Sequence, residues 1–331
     1  MVNLAVCGAI NWDVSCFIER LPVTGEEVAI SQITRVSGGT GGNVAVAAAR
    51  VLGAEKVALI GAVGRDDIGQ QQIAALDAEG VITGRIHHIE GEESGQAYIL
   101  IDRAGQNVIA SYLGANAGLR REHVRMAWAD QQLNQCRSVV ITDPPLEAAE
   151  ELIDLAKQSG AVVLWDPGVL IGQNREALQA LAKEVGVLFL NETEASALLG
   201  TEQLDMSFQR LQEIGFRSHI VFKLGARGAV MFEPAKELVV EVPALPLERL
   251  GLNVINTVGC GDAFVGAFAA YHALGASFHR SLAMASAAGC LNATRPETRG
   301  SPERPIVEET EQKCRDFGFT VREHRQSESA G

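Results

Sequence analysis

Much that would decide a function is missing from these 331 residues. No long run of lysine or arginine occurs. Lys plus Arg (28) falls short of Asp plus Glu (41), for a formal net charge of −13. So acidic a chain lacks the electrostatic footprint of a nucleic-acid binder, and an anionic substrate would need local positive potential from a helix N-terminus, a few cations or a metal ion. The six cysteines, Cys7, Cys16, Cys136, Cys260, Cys290 and Cys314, include no C-x-x-C pair. Several sit in apolar runs, where a thiol acts as a small hydrophobe, so zinc and disulfides are not expected and the thiols read as reduced in a cytoplasmic protein. No run of about 18 apolar residues is present to span a membrane. The opening MVNLAVCGAI has no basic segment before its short apolar run and reads as a strand, not a signal peptide. Three chemical signatures are also absent: the P-loop G-x-x-x-x-G-K-[ST], a well-formed G-x-G-x-x-G after the first strand, and the nucleophile elbow G-x-S-x-G. A P-loop NTPase is excluded, and a dinucleotide-binding fold and a serine hydrolase are disfavoured.

What is present is an alternation of buried strands and helices. Hydrophobic residues make up 47% and charged residues 21%, the balance of an ordinary globule, with 34 glycines and only 5% aromatics. LAVCGAI, VALIGAVG, SVVIT, AVVLWD, VGVLFLN and SHIVFKLG read as buried strands. Helices are expected over 42–52 and 67–78, then at about 146–159, 174–184, 193–199 and 207–214. The pattern predicts an α/β fold, three layers (α/β/α) around a mostly parallel sheet, with ligands at the C-terminal ends of the strands. Two stretches interrupt it. Residues 14–34 carry P-V-T-G-E-E between extended segments, and 94–112 reads as a hairpin around Arg103-Ala104-Gly105. Together they suggest a small antiparallel β lid. One domain is expected over 1–315, followed by an extension over 316–331 whose polar end is expected to be disordered.

The stretch NTVGCGDAF at 256–264 carries the chemistry. Its glycines precede AFVGAFAAYHALG, apolar all round and therefore a buried helix. Unpaired amides at such a start can face an anion. Asp262, in the first turn, could simply cap the helix and complement its dipole. Alternatively it is a general base beside an oxyanion hole formed by the amides of Gly259, Cys260 and Gly261.

G-x-G-D before a buried Ala/Gly-rich helix resembles the C-terminal signature of the ribokinase-like (PfkB-type) carbohydrate kinases. SGGTGGNVAVAAARVLG at 37–53, continued by VALIGAVGRDDIG, is similar to the family's N-terminal signature. GAINWD (8–13), P-x-x-G-E (22–26), GANA (114–117), NETEA (191–195) and K-L-G-A-R-G (223–228) follow in the family's order, and the likeness covers roughly residues 3–310.

The resemblance implies a kinase moving the terminal phosphate of ATP to a sugar hydroxyl with Mg2+. Asp262 would be the base, and Gly259–Gly261 the anion hole. Asn11, Asp13, Gly39 and Asn43 would hold the sugar, with Asp143 a further sugar-contacting or metal-proximal acid. Asn191 and Glu194 would serve magnesium and phosphate, and Lys223 and Gly225 the nucleotide side. The lid would close over the sugar and pair two chains into a homodimer.

Blander readings stand beside each role. Asn11 and Asp13 could be a turn, the GGTGGN glycines a tight strand-to-helix connection, Asn191 and Glu194 a plain helix start, and Lys223 a snorkelling surface lysine.

Three positions depart from the family. Asn256 stands where an aspartate associated with potassium is usual, which argues against potassium activation. Cys260 replaces the usual alanine, and Thr40 a lysine common in ribokinases. Arg295 and Arg299, in TRPETRGSPER, either reach a phosphate or are solvated. Ribose or another pentose is the first expected acceptor. The runner-up is a nucleoside kinase or sugar-phosphate kinase of the same fold, and the alternative of another class is a non-catalytic sugar- or nucleotide-binding regulator. The intact Asp262 argues against the last. ADP as phosphate donor stays open.

Overall fold

The computed structural model describes residues 1–104, 106–168, 175–201 and 203–325. Gly105 of the expected hairpin, residue 174 of an expected helix and the polar end at 326–331 lie outside the described residues. Strands are β1 Leu4–Gly8, β2 Asn11–Ile18, β3 Ile30–Gly38, β4 Val57–Val63, β5 Ile82–His88, β6 Gly95–Ile101 and β7 Asn107–Tyr112. They continue with β8 Ser138–Thr142, β9 Val162–Asp166, β10 Val187–Asn191, β11 His219–Lys223, β12 Ala229–Glu233, β13 Leu238–Val242 and β14 Arg322–Arg325. Helices are α1 Thr40–Leu52, α2 Asp67–Ala78, α3 Arg121–Trp128, α4 Leu146–Ser159 and α5 Arg175–Ala182. After them come α6 Glu192–Leu199, α7 Leu204–Glu213, α8 Cys260–Ala273, α9 Phe278–Asn292 and α10 Arg304–Asp316.

Among the described residues, ten strands form the main sheet in the order β14-β13-β12-β11-β10-β9-β8-β1-β4-β5. From β11 to β5 every pairing is parallel, while β12, β13 and β14 add antiparallel edge strands. The stretch from 316, expected as an extension, instead supplies the outermost strand, β14, paired to β13. Burial explains the composition of the central strands: β1, β4 and β8 are buried at every residue, which only a sheet covered on both faces allows.

Each face has its own core. Helices α3 to α7 pack on one side around Trp165, Phe208 and Phe222, and α1, α2, α8, α9 and α10 on the other around Phe189 and Phe268. Phe189 of β10 meets Phe264 and Phe268 of α8 edge-on, with ring centroids 6.3 and 5.1 Å apart, which seats α8 on the sheet.

Helices α1 and α8 approach unusually closely because the contact is made of glycine and alanine. A methyl group on Gly266 would lie 2.6 Å from the Val44 carbonyl oxygen and 2.7 Å from the Ala47 Cβ. Gly39, with φ 84°, turns the chain from β3 into α1.

The second sheet runs β3-β2-β6-β7. Two antiparallel pairs, β2 with β3 and β6 with β7, join side by side through a parallel contact between β2 and β6. The lid thus reaches from Asn11 to Gly38, further at each end than the expected 14–34, and it includes both Asn11 and Asp13.

Candidate active site

The site is assembled where the C-terminal ends of β9, β10 and β11 meet the first turns of α1 and α8. Gly259 is the N-cap of α8 in the left-handed conformation, φ 80°, and Asp262 is the third helical residue. Its side chain makes no capping bond. It turns across to α1 and accepts a hydrogen bond at Oδ2 from Asn43 Nδ2, at 2.8 Å. Burial raises the Asp262 pKa to about 6. The Asn43 bond opposes that rise, the charge of Asp166 adds to it, that of Lys223 lowers it and that of Asp13 raises it.

The expected anion hole is altered in one member. The Cys260 amide already donates to the Thr257 carbonyl, at 3.3 Å. The amides of Gly259, Gly261 and Asp262 have no protein acceptor among the described residues. The Asp262 amide, which the sequence reading did not include, is open while that of Cys260 is engaged. The Cys260 thiol is pushed up by burial and not activated by the helix N-terminus.

Lys223 is no surface lysine. Its side chain is 15% exposed, with Nζ 2.5 Å from Asp166 Oδ2 and 4.0 Å from Glu194 Oε2. Burial opposes its charge, but the carboxylates of Asp166 and Glu194 outweigh that, and its pKa lies above the ordinary lysine value. Its ammonium also faces the anion hole: a Cβ on Gly261 would be 3.8 Å from Nζ. Asp166 was missed in the sequence, where it merely ends AVVLWD. The available signal was its place at the C-terminal end of a buried parallel strand.

Asn191 and Glu194 form a reciprocal capping box at the start of α6, Asn191 Oδ1 accepting from the Glu194 amide at 2.8 Å and Glu194 Oε2 from the Asn191 amide at 2.7 Å. The plain helix-start reading is thus realised, while the box also holds Glu194 toward Lys223. Glu194 Oε1 has no protein partner among the described residues. Burial raises the Glu194 pKa, the charge of Lys223 opposing it. No group of three or more His, Cys, Asp or Glu side chains among the described residues is arranged to hold a metal. Mg2+ usually takes one or two protein carboxylates, with phosphates and waters completing its shell, and a single available Glu194 oxygen fits that pattern. Gly225, φ 57°, opens an exposed turn after β11, whose last residue, Lys223, pairs with Asn191.

On the lid side, Asn11 and Asp13 lie on one face of β2. The Asn116 amide of GANA accepts from the Ile10 amide at 2.9 Å, donates to its carbonyl at 3.0 Å, and donates to Asn11 Oδ1 at 2.9 Å. That sets the orientation of Asn11. Asp13 is 8% exposed and folds over Gly38, where a side chain would collide with it. Burial raises the Asp13 pKa to about 6, against the charge of Arg299. Asp143, after β8, has φ 53° and accepts from Thr40 Oγ1 at 3.0 Å. The residue at position 40 thus contributes a hydroxyl and no cation. Arg299, expected to reach a phosphate or be solvated, is half-buried against the start of α1, with Nε 2.9 Å from Asn43 Oδ1.

The arrangement places a carboxylate of near-neutral pKa beside three open amides and one buried ammonium. That is a site for taking a proton from a hydroxyl while a transferred anion is held. By direct 13C-carboxyl NMR, Asp262 is expected to titrate near pH 6. Lys223→Met should move that midpoint upward, because a stabilising positive charge is lost; an unchanged midpoint would separate the two groups.

A model of the pfkB family of carbohydrate kinases matches residues 1–304. The chain is 28% identical over 305 residues to a ribokinase of Schizosaccharomyces pombe, covering 89% of this chain and 93% of that one. It is 30% identical over 311 residues to an ATP-dependent ribose-1-phosphate kinase of Halopiger xanaduensis, covering 93% and 97%. The solved Arabidopsis thaliana ribokinase complexed with ribose and ATP superimposes with a TM-score of 0.81 at 26% identity, covering 94% of this chain and 99% of that one.

Proposed function

The chain belongs to the pfkB family of carbohydrate kinases, and from that premise we propose that it transfers the terminal phosphate of ATP to a hydroxyl of a free pentose such as ribose. The observation that carries the mechanism is Asp262, turned away from its own helix and held by Asn43 beside the open amides of Gly259, Gly261 and Asp262. The sugar would lie between Asp262 and the inner lid face, its hydroxyls meeting Asn11, Asp13, Gly39 and Asn43, with Asp143 at the rim. The Asp262 carboxylate accepts the proton of the attacking hydroxyl, and the amides with Lys223 stabilise the charge of the passing phosphoryl group. Asn191, Lys223 and Gly225 would line the nucleotide side. Mg2+ held through Glu194 would neutralise charge on the ATP phosphates when bound. Lid closure would keep water from the phosphoryl group.

A phosphorylated pentose is the second reading, favoured by the likeness to the ribose-1-phosphate kinase and by Thr40, which leaves space and no cation where ribokinases commonly carry lysine. All six cysteines are unpaired, which supports a reducing, cytoplasmic setting, and no described helix is long and apolar enough to cross a membrane.

Assay with MgATP across pentoses, hexoses, nucleosides and phosphosugars tests the reading. Turnover is expected with a free pentose; turnover only with a phosphosugar or nucleoside moves the acceptor assignment, and silence across the panel sinks it. On the accepted sugar, Asp262→Asn should lower turnover by about 10²–10⁴-fold while sugar and ATP still bind. Normal turnover in that variant would remove Asp262 from the base role.

Asn256 engages both ends of its amide: Oδ1 accepts from the Val258 amide of its own loop at 3.0 Å, and Nδ2 donates to the Pro296 carbonyl in the α9–α10 connection at 3.0 Å. Potassium is therefore expected to activate weakly or not at all, and strong activation over sodium in the same assay would contradict this.

The lid exposes Val36 and Ile109 on the face that carries Asp13, and Tyr98, Val108 and Tyr112 on the opposite face, apolar surface suited to pairing with a second copy. Light scattering should give twice the chain mass, and Ile109→Glu should lower it; a monomeric wild type would refute the dimer.

A further inference from the structure

Arg299 lies in the connection between α9 and α10, yet its guanidinium is fixed on three sides against the start of α1. Nε donates to Asn43 Oδ1 at 2.9 Å, Nη1 to Ser37 Oγ at 2.7 Å, and Nη2 to the Gly38 carbonyl at 3.0 Å. The space it occupies exists because residue 42 is glycine: a Cβ there would lie 2.5 Å from Nη2. Its backbone is held as well. Arg50 Nη1 donates to the carbonyls of Arg299 and Ser301, at 2.6 and 2.7 Å, while Nε and Nη2 of the same side chain fork onto Glu79.

A guanidinium has five N–H donors and no acceptor. A side-chain amide has one end of each kind and can be turned either way round. The two facts meet at Asn43. Its oxygen must face Arg299, so its nitrogen must face the opposite neighbour, which is Asp262. We infer that Arg299 is a positioning residue for phosphoryl transfer: it fixes the sense of the Asn43 amide, so that Asn43 can only donate to the Asp262 carboxylate. With the amide reversed, a carbonyl oxygen would oppose a carboxylate oxygen, and the base would swing away or take up a proton. The inference rests on the reading of Asp262 as the base. The charged groups around the relay are Asp13, Glu79 and Arg50 on the Arg299 side, and Asp166, Lys223 and Asp13 on the Asp262 side.

The experiment is a kinetic cycle on the full chain with Arg299→Met, Arg299→Lys, Asn43→Ala and the double variant Arg299→Met/Asn43→Ala. Arg299→Met is expected to lower kcat by about 10- to 100-fold, the effect of losing one charge-assisted hydrogen bond, with KM for MgATP unchanged. Arg299→Lys, still a pure donor, should recover most of the loss. In the Asn43→Ala background the Arg299 change should add little. A normal kcat in Arg299→Met, or a full additional loss in the double variant, overturns the inference. If Arg299→Met does not fold, Arg299→Gln replaces it, since an amide that can donate or accept no longer imposes an orientation; a normal kcat in Arg299→Gln then has the same force.

A second readout needs no turnover. The side-chain NH2 signals of Asn43 in 15N spectra, assigned through Asn43→Ala, should shift in Arg299→Met (or Arg299→Gln) and stay in place in Arg299→Lys. Signals indifferent to Arg299 refute the positioning role even if no sugar on the panel is phosphorylated, whereas a silent wild type with the expected shifts refutes only the proposed function.

Discussion

A partly buried carboxylate is costly unless donors and cations surround it, and the site is organised around meeting that cost for Asp262. Asn43 donates from one side and Lys223 lies in the field on the other. Neither neighbour is local in sequence. The first arrives because α1 and α8 touch through glycine and alanine, closer than larger side chains would allow, and the second because β11 ends directly under the α8 N-terminus. The balance leaves Asp262 basic enough to accept a proton and ionised at neutral pH. Because Lys223 is already paired with Asp166 and lies 4.0 Å from Glu194, the uncommitted donors facing the site are the three open amides at the α8 N-terminus.

The parallel strands were legible because total burial writes them as unbroken apolar runs, and α1 and α8 because each begins in a glycine cluster that only a close backbone approach requires. Asp262 was legible as a candidate base, but the direction of its side chain was not: a first-turn aspartate reads equally well as a cap until its side chain is seen leaving the helix. Lys223 was ambiguous for a similar reason, since a lysine at a strand end is usually exposed and only the third dimension brings Asp166 to it. Arg299 was singled out in the sequence, but its partner was not legible there. Its partner Asn43 is 256 positions away, and TRPETRGSPER has the composition of a solvated loop. The edge strands β12 to β14 went unread because they lie beyond the repeating strand–helix pattern.

Some residues carry two duties. Asn191 and Glu194 close a capping box and also fix a carboxylate near Lys223, so stability and chemistry are not alternatives there. Thr40 and Asp143 show a substitution with a local consequence: a hydroxyl bonded to a carboxylate stands where a cation would have changed the charge of the sugar side. Gly42, which by motif belongs to a substrate loop, also provides the room in which Arg299 sits.

The splice between the two sheets has a mechanical meaning. Strand β1 of the core passes into β2 of the lid through Ala9 and Ile10 alone, and the Asn116 amide locks both backbone groups of Ile10. Parallel pairing with β6 anchors the same strand along its length. The inner half of the lid is therefore a fixed jamb, and bending is left to β7 and to the part of β3 beyond the Ser37–Gly38 end that Arg299 holds. Asn11 and Asp13 stand on the jamb. A swinging lid would change how wide the entrance is without moving these two side chains.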